Sequence, residues 1–531
     1  MTSIAEYLAQ QLSMAGIRRV YGLPGGENVE LLEAIRRQGI DFVLVRNESS
    51  ACFMAAASAR LTGIPGVAIT TLGPGATNAY AGFAHAYLDR APVLLITAAS
   101  DPSLAGRHSH QALDLEAIFR PISKFSAEIT RDQAAATIQA ALQALRAGRP
   151  GPAHLGIHND VALQALGELP TPQVERLPAS PASVDLKRLA RFFTEKTRPV
   201  IVVGLGLEPE RPYAQLRQLA EKLGAPLIDS PKSKGALSAD HPLFAGTLGL
   251  TASDPAYQIL NESDCIIAVG FDVVELVKPW DQAQPLIWVA NWENDDPRIA
   301  SDVDIVGPVT DALEALARVD TQKQEGWGAE RVAAFRREQG QTVPPAPQDG
   351  RVLPQAFLAA LREGAPDEVI ITSDVGSHKI FAALCWPAQR PNSYLVSNGL
   401  SAMGYGLSSA VAAAMASRRQ VVCITGDAGL AMVLGELGLL AELQLPVMVA
   451  VMNDSALDLI RSAQIRRDRG AFGTEFRNPD FGMIARGFGI DYRRAKTQEE
   501  CAAAVEYGLT TGKPLLIDVM IDPIGYPTTP R

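Results

Sequence analysis

The fold is indicated most clearly by the segment Val421-Val-Cys-Ile-Thr-Gly-Asp427-Ala-Gly429, an apolar run that ends in a Gly-Asp turn. A helical pattern follows, and a second apolar run, Pro446–Met452, then ends at Asn453-Asp454. Apolar runs of this length, separated by a helix, are typical of parallel strands that are buried on both faces. Because neighbouring parallel strands end at the same edge of a sheet, we expect Asp427 and Asp454 to lie close together.

The same alternation of strand and helix extends over most of the chain. It predicts an α/β fold of doubly wound parallel sheets that are covered by helices on both faces. The predicted strands are Asp41–Val45, Gly66–Thr70, Pro92–Thr97, Pro199–Val203, Cys265–Val269, Val369–Thr372, Gln420–Thr425, Pro446–Met452 and Leu515–Val519.

Two segments rich in proline, Leu169–Ser183 and Gln341–Pro354, are predicted to be linkers. They divide the 531 residues into an N-terminal domain (1–170), a central domain (183–335) and a C-terminal domain (352–531). Each piece has the size of a single α/β domain.

The composition excludes several classes of protein. The chain carries 48 basic and 58 acidic side chains, and this acidic balance argues against a nucleic-acid-binding protein. Its five cysteines form no Cys-x-x-Cys pair, so we expect neither a disulfide framework nor a zinc site. The N-terminus is predicted to be an amphipathic helix followed by a strand, and no apolar run reaches the length of a membrane span. We therefore expect a cytoplasmic protein with no membrane partner.

The strand ends suggest a site for a phosphate and a metal ion. Glycines in Gly426–Gly429 let backbone N–H groups approach phosphate oxygens at the start of a helix, whose dipole favours anions. Two carboxylates beside such a turn suit Mg²⁺, which keeps water and phosphate oxygens among its ligands. The alternative is that these residues only form turns and cap helices.

Gly426-Asp427-Ala428-Gly429 and Asn453-Asp454 resemble the diphosphate motif of thiamine-diphosphate (ThDP) enzymes, usually written GDG…NN. Ala428 stands where the motif has its second glycine, and Asp454 where it has its second asparagine. The resemblance implies that Asp427 and Asp454 bind Mg²⁺ through their side chains, and Ala456 through its carbonyl oxygen.

Other parts of the family pattern follow in the expected order. Glu48, between a strand and an alanine-rich helix, matches the glutamate that activates the cofactor. The strand-end turn Tyr21–Gly26 and the segment Leu72–Asn78 also match, and Thr77 is predicted to cap the helix after that segment. Met403 matches the residue that bends the cofactor into its V shape.

The resemblance implies which residues contact the cofactor and substrate. Glu48, Gly26, Gln111 and His110 are implied to act in catalysis. The implied cofactor contacts are Glu48, Thr71, Asn78, Gly376, Ser377, His378, Ser401, Met403, Gly426, Asp427, Ala428, Gly429, Asp454, Ala456 and Leu457.

The implied chemistry begins with a hydrogen bond between the Glu48 carboxylate and the aminopyrimidine ring of the cofactor. The cofactor then accepts the electrons that are left when a 2-keto acid loses CO₂. Glu48 and the diphosphate motif lie in different domains. In this family they meet across a subunit interface, which implies a homodimer or a tetramer of dimers.

The resemblance is greatest to acetolactate synthases of the flavin-independent, catabolic kind. It rests on four stretches: His108–Ala112 with Pro121–Lys124, Ser373–His378, Ser397–Gly399, and Asn453–Asp458. The stretch Gly270–Glu275 with Pro279-Trp280 also resembles these enzymes, whereas the flavin-binding kind has Arg-Phe-Asp-Asp-Arg there. FAD is therefore not expected, and Val203–Leu207 is interpreted as a strand-end turn.

The resemblance implies a carboligase that adds a decarboxylated 2-keto acid unit to a second carbonyl. Three alternatives remain: a non-ligating decarboxylase or aldehyde lyase of the same family, a ThDP-binding scaffold without activity, and a nucleotide-binding oxidoreductase. Glu48 argues against the scaffold. The absence of a Gly-x-Gly-x-x-Gly segment near the N-terminus disfavours the oxidoreductase.

The substrate pocket departs from the family pattern. Two glutamines line the pyruvate pocket of catabolic acetolactate synthases, and Ser401 and Ala463 occupy their positions. Removing a polar partner relaxes selectivity, so we expect a roomier pocket that accepts longer or aromatic keto acids or aldehydes. The alternative is that pyruvate remains the donor, and that Arg461, Gln464 or His110 supplies the missing contact.

Overall fold

The computed structural model describes residues 2–100, 110–166, 186–277, 280–340, 346–347 and 350–526. The chain forms two compact units. The first consists of Met1–Glu175, Leu400–Arg418 and Leu430–Leu445, and the second of Arg176–Gly399, Arg419–Gly429 and Pro446–Arg531. The predicted linker Leu169–Ser183 lies outside the described residues, as does part of Gln341–Pro354.

The N-terminal sheet has six parallel strands in the order β2-β1-β3-β4-β6-β5. Strands β3, β4 and β6 are buried along their whole length, as expected for strands covered on both faces. The elements are α1 (Ile4–Met14), β1 (Arg19–Gly22), α2 (Val29–Arg37), β2 (Asp41–Leu44), α3 (Glu48–Thr62), β3 (Gly66–Thr70), α4 (Pro74–Leu88), β4 (Val93–Ala98), α5 (Leu115–Phe119), β5 (Phe125–Glu128), α6 (Ala134–Ala144), β6 (Ala153–Ile157) and α7 (Asn159–Leu163).

Helix α4 begins earlier than the sequence suggested. It starts at Pro74, and Gly73 precedes it with a φ of +56°, a conformation that favours glycine. Proline is well suited to the first helical position, because its missing N–H would have no partner there. Thr77 lies inside the first turn, and its hydroxyl donates to the carbonyl oxygen of Gly73. The prediction that Thr77 caps this helix was therefore wrong.

The central sheet also has six parallel strands, in the order β12-β11-β10-β7-β8-β9. The chain winds outward in one direction from β7 and in the other from β10, which is the strand order of dinucleotide-binding folds. The elements are α8 (Leu186–Phe193), β7 (Pro199–Val203), α9 (Tyr213–Leu223), β8 (Leu227–Asp229), β9 (Phe244–Thr247), α10 (Tyr257–Glu262), β10 (Cys265–Val269), β11 (Leu286–Ala290), β12 (Val303–Val306), α11 (Val309–Leu316) and α12 (Ala329–Gly340).

The C-terminal sheet has the order β14-β13-β15-β16-β18-β17, again with all strands parallel. The elements are α13 (Pro354–Gly364), β13 (Ile370–Ser373), α14 (Ser377–Cys385), β14 (Tyr394–Val396), α15 (Tyr405–Ala416), β15 (Val421–Gly426), α16 (Asp427–Met432), α17 (Leu437–Glu442), β16 (Val447–Asn453), α18 (Asp458–Ile465), α19 (Phe481–Phe488), β17 (Asp491–Ala495), α20 (Gln498–Thr510) and β18 (Leu515–Met520).

All nine strands predicted from the sequence are present, and each end lies within one residue of its predicted position. The fold class, three doubly wound parallel sheets, is thereby confirmed. None of the described helices is both long and apolar enough to cross a membrane.

Helices α15 and α17 belong to the first compact unit, together with the N-terminal sheet. Helix α15 packs against α3, where the rings of Phe53 and Tyr405 meet edge to face at 5.7 Å. Arg46, just before α3, forms an ion pair with Glu442 of α17 at 2.7 Å. The N-terminal sheet therefore shares its unit with helices from late in the chain.

Candidate active site

The first group of predicted site residues lies where α3 begins. Asn47 caps the helix by accepting from the Ser49 N–H, and Glu48 is buried in its first turn, 8% exposed. Glu436 fixes the preceding turn, because its carboxylate accepts from the N–H of Arg46 at 3.0 Å. The Glu48 carboxylate is thus held at a buried position by backbone contacts on both sides of it.

The structure brings Glu48, Thr71 and Asn78 together. The Asn78 side-chain amide donates to Oε2 of Glu48 at 3.3 Å. Gly75 lies so close that an added Cβ would be 3.3 Å from Oε1 of Glu48 and would overlap the Thr71 hydroxyl. The glycine therefore leaves room for the carboxylate between α3 and α4.

The other predicted residues of this unit have different surroundings. Gly26 has open space where a Cβ would point. Gln111 has a φ of +57° and lies beside Gly73, whereas His110 is exposed. Ser401 and Met403 are both half-buried. His108 lies outside the described residues.

The second group of predicted residues lies at the carboxyl edge of the C-terminal sheet. Strands β15 and β16 are neighbours, and Gly426 pairs with Met452, so that both strands end side by side as the sequence predicted. Strand β15 ends at Gly426 and helix α16 begins at Asp427, so no loop separates them at the expected Gly-Asp turn.

Asp427 is only 2% exposed, and its carboxylate accepts hydrogen bonds from at least three groups of the described residues. The donors are the N–H of Ala428 at 2.8 Å, the N–H of Ser455 at 2.8 Å and the side-chain amide of Asn478 at 2.7 Å. Burial raises the pKa of the Asp427 carboxyl above its usual range, and these donors oppose the shift. The carboxylate is thereby fixed in orientation.

Asp454 is a second buried carboxylate beside Asp427. Burial raises the pKa of its carboxyl to about 7, and the nearby carboxylates of Asp427 and Asp458 add to the increase. The Arg461 guanidinium, 3.3 Å from Asp454, acts in the opposite direction. Buried carboxylates that repel one another in this way favour binding of a cation.

The backbone after Asp454 is held in place by a second segment. The Leu457 N–H donates to Thr474 at 2.8 Å, and the Phe476 N–H donates to Ser455 at 3.1 Å. The carbonyl oxygen of Ala456, which lies between these contacts, accepts no hydrogen bond from a described residue. It is therefore available to bind a metal ion, and this role of Ala456 remains a prediction.

These donors fit Mg²⁺. Among the described residues no cluster of three or more His, Cys, Asp or Glu side chains has metal-binding geometry. Two carboxylates and a carbonyl oxygen are nevertheless sufficient, because Mg²⁺ is usually bound by one or two carboxylates and takes its remaining ligands from phosphate and water. Asp427, Asp454 and Ala456 are the residues that could hold it.

The start of α14 provides unsatisfied donors at the same sheet edge. The N–H groups of Ser377 and His378 have no partner in the part of the chain that the structure describes. His378 is buried, its Nε2 also has no described partner, and burial lowers the pKa of its imidazole to about 4. Free N–H groups at a helix start are the donors that a phosphate group requires.

Gly429 shows how closely this edge is packed. A Cβ on Gly429 would lie 2.5 Å from Oδ2 of Asp374. The Asp374 carboxylate in turn accepts from the Thr425 hydroxyl at 2.9 Å. Asp374 was not among the predicted site residues, although it lies only two residues after the predicted strand Val369–Thr372.

Two further residues of this edge were missed. The Asn478 amide donates to Asp427, to Asn453 at 2.9 Å and to the Ser455 hydroxyl at 3.2 Å, and its Oδ1 is buried with no described partner. Asn478 also lines a cavity of about 750 Å³. Tyr526 lies near the acidic cluster, since burial and the carboxylates of Asp427, Asp454 and Asp458 raise its pKa. No motif marked either residue in the sequence.

At the corresponding edge of the central sheet, the N–H donors are already bound by acceptors of the protein itself. The buried carboxylate of Glu275 accepts from the N–H of Leu205 at 3.0 Å, from the N–H of Asp272 at 3.2 Å and from the Ser230 hydroxyl. The N–H of Gly206 donates to Gly270 at 2.8 Å. Burial raises the pKa of Glu275 to about 8. A nucleotide phosphate would find the donors after β7 already engaged.

Comparisons with known protein families match three segments of the chain, each of which contains strands of one of the three sheets. The N-terminal TPP binding domain of thiamine pyrophosphate enzymes matches residues 2–118. The central domain of these enzymes matches residues 186–316, and their C-terminal TPP binding domain matches residues 374–519.

Individual relatives match over nearly the full chain. The acetolactate synthase isozyme 1 large subunit of Escherichia coli K12 is 31% identical over 98% of this chain and 94% of its own length. The probable acetolactate synthase large subunit of Methanocaldococcus jannaschii is 29% identical, over 98% and 92%. The acetolactate synthase of Bacillus subtilis 168 is 27% identical, over 98% and 93%. The chain therefore belongs to the thiamine-diphosphate-dependent enzymes, within their acetolactate-synthase-like family.

Proposed function

We propose that the protein is a ThDP- and Mg²⁺-dependent carboligase that decarboxylates a 2-keto acid and joins the remaining unit to a second carbonyl. The proposal rests on one observation. Asp427 and Asp454 lie close together at the ends of adjacent strands, at the same sheet edge as the free N–H groups of Ser377 and His378. Full-length similarity to acetolactate synthases supports this type of reaction.

The chain's own residues would contribute binding and proton control. Asp427, Asp454 and the Ala456 carbonyl oxygen would hold Mg²⁺, and the N–H groups at the start of α14 would bind the diphosphate. The Glu48 carboxylate would hydrogen-bond the ring nitrogen N1′ of the cofactor's aminopyrimidine and so keep a proton on that nitrogen. Bound ThDP supplies the electron sink for loss of CO₂.

Two further features of the cofactor site belong to the proposal. FAD is not required, because the central edge that a dinucleotide would use is filled by Glu275 and by the contact between Gly206 and Gly270. The complete site forms between two copies of the chain, in a homodimer or a tetramer of dimers, as the family resemblance implies. We also propose a cytoplasmic location.

The substrate pocket is proposed to be less selective for pyruvate. Ala463 cannot bind a carboxylate, and Gln464 is engaged with the backbone of Phe472 at 3.0 and 3.1 Å. Arg461 is paired with Asp454 and Asp458, and His110 is exposed. The replacement of two glutamines by Ser401 and Ala463 supports activity toward longer or aromatic keto acids, or aldehyde acceptors, besides pyruvate.

The cofactor requirement can be tested on the purified protein. Thermal melting should show a higher melting temperature when ThDP and Mg²⁺ are added together than when either is added alone. CO₂ release from a panel of 2-keto acids, with identification of the products, then separates a carboligase from a simple decarboxylase. A protein that binds ThDP but releases no CO₂ would be a scaffold, and the proposal would be refuted.

Glu48→Gln tests the activating carboxylate. The variant should still bind ThDP, because the diphosphate donors lie elsewhere. It should lose at least about 100-fold in turnover, since general acid–base groups contribute about 10²–10⁴-fold. Glu116→Gln, an exposed carboxylate paired with Arg120, is the matched control and should keep full turnover. Turnover of Glu48→Gln near that of the wild type would remove Glu48 from the mechanism.

The selectivity of the pocket can be measured directly. We expect kcat/KM for 2-ketobutyrate or benzoylformate to be within about 100-fold of that for pyruvate. A preference for pyruvate above about 100-fold, roughly 2.7 kcal/mol in the transition state, would contradict the roomy pocket and indicate an ordinary acetolactate synthase.

A further inference from the structure

Arg461 occupies an unusual position beside the acidic cluster. One nitrogen of its guanidinium, Nη2, donates to Asp454 at 3.3 Å and to Asp458 at 3.0 Å. All three side chains are largely buried, with 20%, 7% and 10% exposure for Arg461, Asp454 and Asp458. The contact is therefore built into the site and is not a solvated surface pair.

Asp458 links Arg461 to the phosphate-binding end of the site. Its Oδ2 accepts from the Ser377 hydroxyl at 2.7 Å, and Ser377 carries one of the free N–H groups of α14. Its Oδ1 accepts from both Arg461 and Ser462. Arg461 thus lies beside a proposed metal ligand and one residue away from the start of α14.

The charges of this site require a cation in addition to the metal. Asp427, Asp454 and Asp458 bring three negative charges close to where the diphosphate would bind. Mg²⁺ carries two positive charges and leaves one carboxylate uncompensated. Two other buried charged residues of this edge, Asp374 and Lys379, carry opposite charges and therefore cancel each other in this sum. Without Arg461, an anionic diphosphate would face a net negative site, which is unfavourable at low dielectric.

The guanidinium also has donors to spare. Only Nη2 of Arg461 donates hydrogen bonds to described residues, so Nε and Nη1 retain three N–H groups. A guanidinium can serve two carboxylates and a phosphate oxygen at the same time, because its donors point in different directions.

We propose that Arg461 is the counter-cation of the diphosphate site, which offsets the charge of Asp454 and Asp458 so that an anionic cofactor can bind. This inference rests on the proposed function. The proposed function already includes the metal ligands and the N–H donors at the start of α14. The inference adds to them a residue that compensates charge. Its role is to position and neutralise, and it takes no part in bond making.

The experiment measures binding rather than turnover. Isothermal titration of the full-length apo protein, with Mg²⁺ present, would use two probes: ThDP and inorganic diphosphate. Arg461→Gln should weaken both at least tenfold, because both carry the diphosphate charge. Arg461→Lys, which keeps the charge, should remain within about threefold of the wild type, and Arg467→Gln, an exposed arginine of the same segment, should be unchanged.

A double variant tests the reason for the effect. Adding Asp458→Asn to Arg461→Gln removes the carboxylate that the arginine offsets, so the affinity for both probes should return to within about threefold of the wild type. The melting temperature of each apo variant, measured alongside, should stay close to that of the wild type.

Three results would overturn the inference. The first is unchanged affinity of Arg461→Gln for both probes, the second is a loss for ThDP but not for inorganic diphosphate, and the third is no recovery in the double variant. Failure of the wild type to bind ThDP would be a different result. It would refute the proposed function and this inference with it.

Discussion

The central and C-terminal sheets present two similar edges that differ in what their donors do. In each sheet the chain winds outward in two directions from a pair of neighbouring strands, β7 and β10 or β13 and β15. At the central edge the N–H groups of Leu205 and Gly206 are bound by Glu275 and Gly270. At the C-terminal edge the N–H groups of Ser377 and His378 have no described partner.

This comparison shows that strand order alone does not create a binding site. Topology determines where ligands can bind in an open α/β sheet. Local hydrogen bonding then decides whether the donors at that place remain available, because a buried N–H that already has an acceptor gains little from a ligand. The two edges can therefore be told apart by removing one buried carboxylate from each.

The largest effect is expected for Asp427→Ala. Loss of a metal ligand from the C-terminal edge should weaken Mg²⁺-dependent ThDP binding by more than about 100-fold, beyond the 10–100-fold typical of residues that only support a ligand. Isothermal titration would measure it. The matched control is Glu275→Gln at the central edge, for which we expect unchanged affinity. Equal losses in both variants would mean that the two edges do not differ in this way.

Glu275→Ala should mainly affect stability. It leaves the buried N–H groups of Leu205 and Asp272 and the Ser230 hydroxyl without their acceptor. Leaving such groups unsatisfied should lower the free energy of unfolding by about 3 kcal/mol. The apo protein should melt roughly 5–10 °C lower. Glu33→Ala, which removes only two surface ion pairs, with Arg36 and Arg37, should change the melting temperature very little.

Asn478→Ala should sharpen the assignment of the C-terminal edge. The asparagine orients Asp427 without contacting the proposed ligand positions of Asp454 or Ala456. Loss of a residue that orients a ligand should weaken Mg²⁺-dependent ThDP binding about tenfold. Asn392→Ala is a suitable control in the same unit, since Asn392 bonds Glu208 and Tyr213 instead. An unchanged affinity of Asn478→Ala would show that Asp427 needs no such support.

The smallest effect is a dependence of stability on pH. Burial raises the pKa of Glu275 in the folded protein to about 8, from an ordinary value of 4.5. Between these values the folded state holds a proton that the unfolded state releases, so stability falls as the pH rises through this window. The slope is at most about 1.4 kcal/mol per pH unit. Melting curves from pH 5 to 8.5 should show the wild type losing stability relative to Glu275→Gln, and parallel curves would contradict this.

The strands were predictable because of how they are buried. Strands such as β3, β10 and β15 are buried on both faces and therefore appear as continuous apolar runs. Edge strands such as β12 and β17 alternate or are partly exposed, so their sequences carry no such signal. The start of α4 could have been found from Pro74, since proline favours the first helical position.

The candidate site was predictable only where it follows strand ends. Asp427 and Asp454 could be placed together because each directly follows a long buried strand. Asn478 and Tyr526 near Asp427, and Glu436 near Glu48, lie on segments whose position depends on tertiary packing. No local pattern distinguishes these three residues from others of their type. The roles assigned to Gln111, His110 and Met403 remain predictions.

The N-terminal sheet forms one compact unit with α15 and α17, and this limits how the chain can be recombined with the chains of related enzymes. A chimera that exchanged everything after the predicted linker Gln341–Pro354 would take α3 from one parent and α15 from the other. Two contacts would then join residues from different parents. They are the edge-to-face contact of Phe53 with Tyr405 and the ion pair of Arg46 with Glu442. Functional crossovers should therefore keep the parental origin of 400–418 and 430–445 matched to that of the N-terminal domain, whatever the boundaries along the sequence suggest.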